Sequence, residues 1–183
     1  MNRNHTTASA VFCACAVAAA CPADIIDIID VGDGLFTSTV QIDFADGDGY
    51  LFNVGWTSVD TTGWDLMLTI ADNVDSFDLQ YSTSEWGVFL EGITYGANSD
   101  LGVGAGWPDV EDYWHYWTRE SAESEWAFSW TGADARQVAD GSWDGWVFLS
   151  PDAPQATGIP APGGLALLAL SLCSTRRRRR RFD

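Results

Sequence analysis

Residues 37–56 read TSTVQIDF, ADGDG and YLFNVGW in succession, and this stretch decides the fold. Between residues 37 and 44, apolar residues alternate with polar ones, which is the period of a half-buried β-strand. Residues 45–49 have the Asp-Gly chemistry of a hairpin turn, and residues 50–56 predict the returning strand. The sequence therefore predicts an antiparallel hairpin.

A helix is predicted after the hairpin, over residues 62–73. Thr62 stands three residues before Asp65, which is the spacing of a capping box at a helix N-terminus. Four apolar residues share one face of this helix: Trp64, Met67, Leu68 and Ala71.

Aromatic and β-branched residues predict five further strands, over residues 77–81, 87–95, 113–118, 125–131 and 143–149. In the strand over residues 87–95, simple alternation places Leu90 and Ile93 on opposite faces. Glycines and a proline predict a flexible loop over residues 96–109. One helix among several strands indicates an α+β domain, in which a small antiparallel or mixed sheet packs the helix on one face. An all-β sandwich is the alternative.

The N-terminus has the pattern of an export signal. Arg3 provides a positive charge, residues 8–20 form an apolar run too short to span a bilayer, and small residues follow it. The pattern predicts a signal helix within residues 1–23, removed on secretion.

The C-terminus combines three features in order. Pro160 and Pro162, on either side of Ala161, predict an extended backbone, and residues 163–172 predict a short apolar helix. An arginine cluster then stays on the cytoplasmic side of a bilayer: Arg176, Arg177, Arg178, Arg179, Arg180 and Arg181. This order resembles the PEP-CTERM sorting signal, which implies an exosortase-type processing enzyme as a partner and membrane attachment before processing. A permanent tail anchor is the alternative.

The sequence thus divides into a signal peptide (1–23), an acidic, Trp-rich extracellular domain (24–150), a linker (151–158) and a sorting signal (159–183). The whole chain has a formal net charge of −17, and of its nine basic residues only Arg119 and Arg136 lie within the extracellular domain. Such a surface repels nucleic acid, so no nucleic-acid partner is predicted. The location predicted for the protein is the cell surface or the extracellular matrix.

No catalytic machinery is predicted for the domain. All four cysteines lie in the terminal segments, and His115 is the domain's single histidine, on a strand face shared with Tyr113 and Trp117. A hydrolase that uses a pair of carboxylates is the alternative, since acidic residues are abundant.

No cofactor or metal site is predicted either. The alternative is a calcium ion bound by acidic residues that recur every third position near the mature N-terminus: Asp24, Asp27, Asp30 and Asp33. Asp46 and Asp48 begin like a calcium loop, but position twelve is Thr57, so a turn is predicted.

The domain also resembles the small β-grasp-like modules related to the C-terminal domain of transcobalamin-type proteins. The resemblance rests on residues 63–67, Gly92-Ile93, residues 114–117 and residues 140–142. It implies a non-catalytic extracellular module that contacts a corrinoid or a metal complex.

All ten tryptophans lie between residues 56 and 146, so the domain can form a hydrophobic core without disulfides. A sheet with rings on both faces and one helix leaves some rings exposed, and exposed rings bind sugars or macrocycles. Trp126 is predicted to be buried. The candidate ligand contacts are Trp107, Trp114, Tyr116 and Trp143. A structural or ligand-capture role is predicted, with a carbohydrate-binding module or a corrinoid-capture module as alternatives.

Overall fold

The computed structural model describes residues 23–102 and 112–157. Residues 1–22 of the predicted signal peptide, the sorting signal with its helix and arginines, and Trp107 lie outside the described residues, whereas Ala23, the last residue of the predicted signal peptide, is the first residue of a strand. The described elements are β1 (Ala23–Val31), β2 (Phe36–Asp43), β3 (Asp48–Trp56), α1 (Gly63–Asn73), β4 (Phe77–Ser84), β5 (Gly87–Tyr95), β6 (Asn98–Leu101), β7 (Trp114–Arg119), β8 (Ala127–Phe128), β9 (Trp143–Phe148) and β10 (Ala156–Thr157).

The larger of two sheets has seven strands, in the order β10-β1-β3-β2-β9-β7-β8. The predicted hairpin lies at its centre: β2 and β3 pair antiparallel, with Val40 opposite Phe52. The turn is closed as predicted, since Phe44 N donates to Asp48 O at 2.9 Å. Two long parallel pairings, β1 with β3 and β2 with β9, make the sheet mixed.

Two strands of this sheet were not predicted from the sequence. β1 occupies the acidic run, whose three-residue recurrence of aspartate hides the two-residue period of a strand. A bulge between Ile25 and Asp27 breaks that period further. β10 lies inside the predicted linker and pairs with the first two residues of β1.

The second sheet consists of β4, β5 and β6, all antiparallel. The prediction that Leu90 and Ile93 face opposite ways is wrong, because a bulge opposite Gln80 and Tyr81 shifts the register and both side chains are buried. The predicted flexible loop over residues 96–109 instead contains β6, so the prediction of a loop fails for Asn98–Leu101, and residues 103–109 lie outside the described residues.

The prediction of a strand over residues 125–131 is also corrected. Only Ala127–Phe128 forms a strand there, paired with Trp117 and Thr118 of β7 at the edge of the sheet.

α1 begins as its capping box predicts. Thr62 Oγ1 accepts from Asp65 N at 3.2 Å, and Asp65 Oδ2 accepts from Thr62 N at 2.8 Å. The buried face is rotated from the predicted one, since Leu68 and Ala71 are only partly buried. The side chains that it buries are those of Trp64, Leu66, Met67 and Ile70.

The core lies between one face of the large sheet and a second layer made of α1 and the small sheet. The predicted α+β class with one helix and a mixed sheet is confirmed at that level, with two sheets where one was expected. None of the described residues belongs to a helix long and apolar enough to cross a bilayer.

Candidate functional site

Two of the predicted ligand contacts, Trp114 and Tyr116, lie in the core and not on the surface. The prediction placed them correctly on one face of β7, but that face is the one that α1 and the small sheet cover. Tyr116 stacks on Trp146 with ring centroids 4.5 Å apart. Their rings are therefore unavailable to a ligand at the surface of the described domain.

A buried polar network lies beside Tyr116. Its hydroxyl donates to Asp144 Oδ2 at 2.6 Å, and Arg136 Nε donates to Asp144 Oδ1 at 2.8 Å. Burial raises the pKa of Asp144, and burial together with the charge of Asp144 raises the pKa of Tyr116 well above its usual range. A Cβ at Gly63 would overlap both the carboxylate and the hydroxyl, so the first residue of α1 approaches this network closely.

Trp143, the third predicted contact, lies on the opposite face of the large sheet. The Arg119 guanidinium lies between two indoles, 4.0 Å from the ring of Trp143 and 4.4 Å from that of Trp126. Burial lowers the pKa of Arg119. Trp126 is only half-buried, so its predicted place in the core is wrong: its ring covers Gly145 at the surface of the sheet beside Pro154.

The two most exposed tryptophans of the described residues were not among the predicted contacts. Trp86, in the turn between β4 and β5, is 89% exposed, and Trp130, just after β8, is 91% exposed. Trp86 had a usable signal, because it lies between Glu85 and Gly87 where two predicted strands meet.

The backbone beside each of these tryptophans approaches one carboxylate, that of Asp134. A Cβ at Gly87 would lie 2.7 Å from Asp134 Oδ2, and a Cβ at Gly132 would overlap Oδ1. The tip of the β4–β5 hairpin and the segment after β8 therefore meet at Asp134. We name Trp86, Trp130 and Asp134 the indole pair site.

This site offers two flat apolar surfaces and an acceptor group. Indole rings stack on the C–H faces of sugars, and a carboxylate accepts hydrogen bonds from hydroxyl groups. Among the described residues, these two tryptophans expose the largest share of an aromatic side chain.

His115 lies where the sequence predicted, among aromatic rings. Its ring centroid is 4.1 Å from that of Tyr113 and 6.4 Å from that of Phe128, and its side chain is buried. The interpretation of His115 as a packed residue fits these contacts.

The acidic turn between β2 and β3 is closed by protein groups. Asn98 Nδ2 donates to Asp46 Oδ2 at 2.7 Å and to Asp48 Oδ2 at 3.2 Å. Within residues 23–102 and 112–157, no three acidic, histidine or cysteine side chains are grouped to hold a metal ion.

Neither a family model nor a curated protein sequence matches the chain. The function of the indole pair site is therefore inferred from its geometry and its charge.

Proposed function

We propose that this chain is a secreted, surface-displayed and non-catalytic module that captures carbohydrate at the indole pair site. The observation that carries the proposal is the near-complete exposure of Trp86 and Trp130, in two segments whose glycines, Gly87 and Gly132, both approach Asp134.

Exposed indoles of this size call for an explanation. A tryptophan side chain contributes about 150–250 Å² of largely apolar area, and leaving it in water forgoes its hydrophobic stabilisation. Soluble proteins rarely expose large contiguous apolar patches, and those that they do expose mark sites that a ligand or partner covers. Two such indoles beside one carboxylate match the mixed apolar and polar surface of a sugar ring.

The charge of the molecule narrows the ligand class. A formal net charge of −17 repels nucleic acid and anionic lipid headgroups, whereas neutral glycans are not repelled. Carbohydrate is therefore favoured over polyanions. The β-grasp-like resemblance of residues 63–67 and 114–117 supports a corrinoid as the second ligand class, since a macrocycle also presents a flat face.

Residues 1–23 and 159–183 supply the export route in this proposal. An exosortase-type enzyme would cut near Pro160 and Pro162 and leave the arginine cluster behind. Mass spectrometry of surface-extracted protein tests this step, and a stably membrane-embedded species that retains Phe182 and Asp183 would show a permanent anchor instead.

Tryptophan fluorescence titration with soluble cello-, chito- and xylo-oligosaccharides tests the ligand class. Trp86→Ala and Trp130→Ala should each weaken binding by about tenfold, equivalent to roughly 1.4 kcal/mol. Asp134→Asn should weaken it less, because the amide oxygen still accepts a hydrogen bond. Leu35→Ala is the matched control, since Leu35 is also an exposed apolar residue, at 81%.

The outcomes separate the two ligand classes. Retained glycan binding in the Trp86→Ala, Trp130→Ala double variant would refute the site. Saturable quenching by hydroxocobalamin with no response to any glycan would transfer the proposal to a corrinoid.

A further inference from the structure

A cleft of about 230 Å³ lies where β2 and β9 end and the chain turns towards β10. It shares no residue with the indole pair site. The side chains and backbone that line it include those of Ala23, Asp43, Gly47, Leu149, Asp152 and Gln155.

Asp43 provides a buried carboxylate in this lining, with the residue only 5% exposed. Gln41 Nε2 donates to both of its oxygens, at 3.0 and 3.2 Å, and the backbone N of Gln155 lies 3.4 Å from Oδ2. Gly49 leaves the room for it, because a Cβ there would lie 3.2 Å from Asp43 Oδ1. Burial raises the pKa of Asp43 to about 6, so the group is mostly ionised at neutral pH.

This charge has no cationic partner among the described residues. Arg136 is engaged by Asp144, and Arg119 is stacked between two indoles. The contacts of Asp43 come from two neutral amides, whereas a carboxylate has about four acceptor positions. A buried and uncompensated charge is unfavourable, and a bound cation would relieve it.

The other walls of the cleft decide which cation fits. They carry aliphatic side chains from Ala23, Val147, Leu149 and Ala153, together with Ser150 and the acidic residues Asp46 and Asp152. Ca²⁺ prefers six to eight oxygen ligands, and no group of three metal-ligating side chains exists in the described part of the chain. An ammonium group on an alkyl chain needs fewer acceptors, and its carbon atoms pack on aliphatic walls.

We propose that this cleft binds a small alkylammonium ion, whose N–H groups donate to the carboxylate of Asp43 while its alkyl chain contacts Leu149 and Ala153. The site is separate from the carbohydrate site, so either proposal can fail alone.

The test is a titration of ¹⁵N-labelled protein with n-propylammonium chloride at pH 7.5, followed through the backbone amides of Gly47 and Gln155. We expect saturable shifts with a millimolar dissociation constant. Asp43→Asn should weaken binding at least fivefold, and Asp60→Asn, which removes the same charge at an exposed position outside the lining, should change it less than twofold.

Three further titrations use sodium chloride, n-propanol and calcium chloride as probes. The proposal would be overturned if sodium chloride or n-propanol shifted the amides as much as propylammonium does, or if calcium bound more tightly. It would also be overturned if Asp43→Asn bound propylammonium with unchanged affinity, or if no saturable shift occurred below 100 mM. If Asp43→Asn does not fold, Ala153→Phe, which fills the cleft, must abolish the propylammonium shifts.

Discussion

At the scale of single residues, the buried hydrogen-bond network of Tyr116, Asp144 and Arg136 gives a prediction about stability. Tyr116→Phe removes one donor from the fully buried Asp144 carboxylate and changes almost nothing else. The free energy of unfolding should fall by about 1–3 kcal/mol, because a buried acceptor loses its partner. Denaturant unfolding measures this loss.

Tyr81→Phe is the control for that experiment, since the side chain of Tyr81 is 45% exposed. It should change the free energy of unfolding by less than about 0.5 kcal/mol. If both variants lost the same unfolding free energy, the buried hydroxyl of Tyr116 would stabilise the fold no more than the exposed one of Tyr81.

The buried carboxyl group of Asp43 should make the stability of the domain depend on pH. Its pKa of about 6 in the folded state exceeds the ordinary aspartate value of 3.8, so the folded protein binds more protons than the unfolded chain between these values. Stability should therefore fall as pH rises from about 4 to about 6, by roughly 3 kcal/mol for this group. Asp43→Asn should flatten that slope in urea melts at several pH values, and Asp60→Asn should leave it unchanged.

At the scale of elements, a strand or helix could be predicted from the sequence where a single local pattern was clear. The hairpin of β2 and β3 and the capping box of Thr62 and Asp65 were both predictable from short segments. β1, β6 and β10 were not, because β1 has a bulge and a three-residue recurrence of aspartate, and β6 and β10 are too short for a period.

The candidate site was less predictable than the fold, for a physical reason. Trp114 and Trp143 lie on opposite faces of the large sheet, and only the position of α1 and the second sheet decides which face is covered. The segments that carry Trp86 and Trp130 meet at Asp134, although they are distant in sequence. No local pattern encodes such a contact.

The tip of the β4–β5 hairpin gives a prediction at the element scale. Gly87 has φ of +111°, a region in which side chains are strained, and Asp134 occupies the space of a Cβ. Gly87→Ala should therefore reduce the free energy of unfolding by at least about 1 kcal/mol more than Gly96→Ala.

Gly96 is the matched glycine, because its φ of +60° is also positive but nothing lies within 4 Å of the position that a Cβ would take. Thermal melts of both variants decide the comparison. A larger loss in Gly96→Ala would mean that the contact with Asp134 is unimportant.

At the scale of the whole molecule, the main feature is the excess of acidic over basic residues. Burial raises the pKa of three carboxyl groups, Asp43, Asp100 and Asp144, so all three disfavour the folded state as they ionise. The net charge of −17 adds self-repulsion. We expect the melting temperature to rise between 10 mM and 500 mM NaCl at pH 8, as screening shortens the range of this repulsion.

Potassium chloride should reproduce that rise, because screening does not depend on the identity of the monovalent cation. A rise with one cation alone would point to specific ion binding.

The parallel pairing of β10 with β1 has a mechanical consequence. Ala23 and Ala156 are paired neighbours, so the two ends of the described domain leave the sheet side by side. Because the two strands run parallel, tension applied between these ends would act along them and shear the two-residue pairing of β10 with β1. Because the two ends are adjacent, a short glycine linker could join them. New termini could then be placed at Gly96, so this domain is suited to circular permutation.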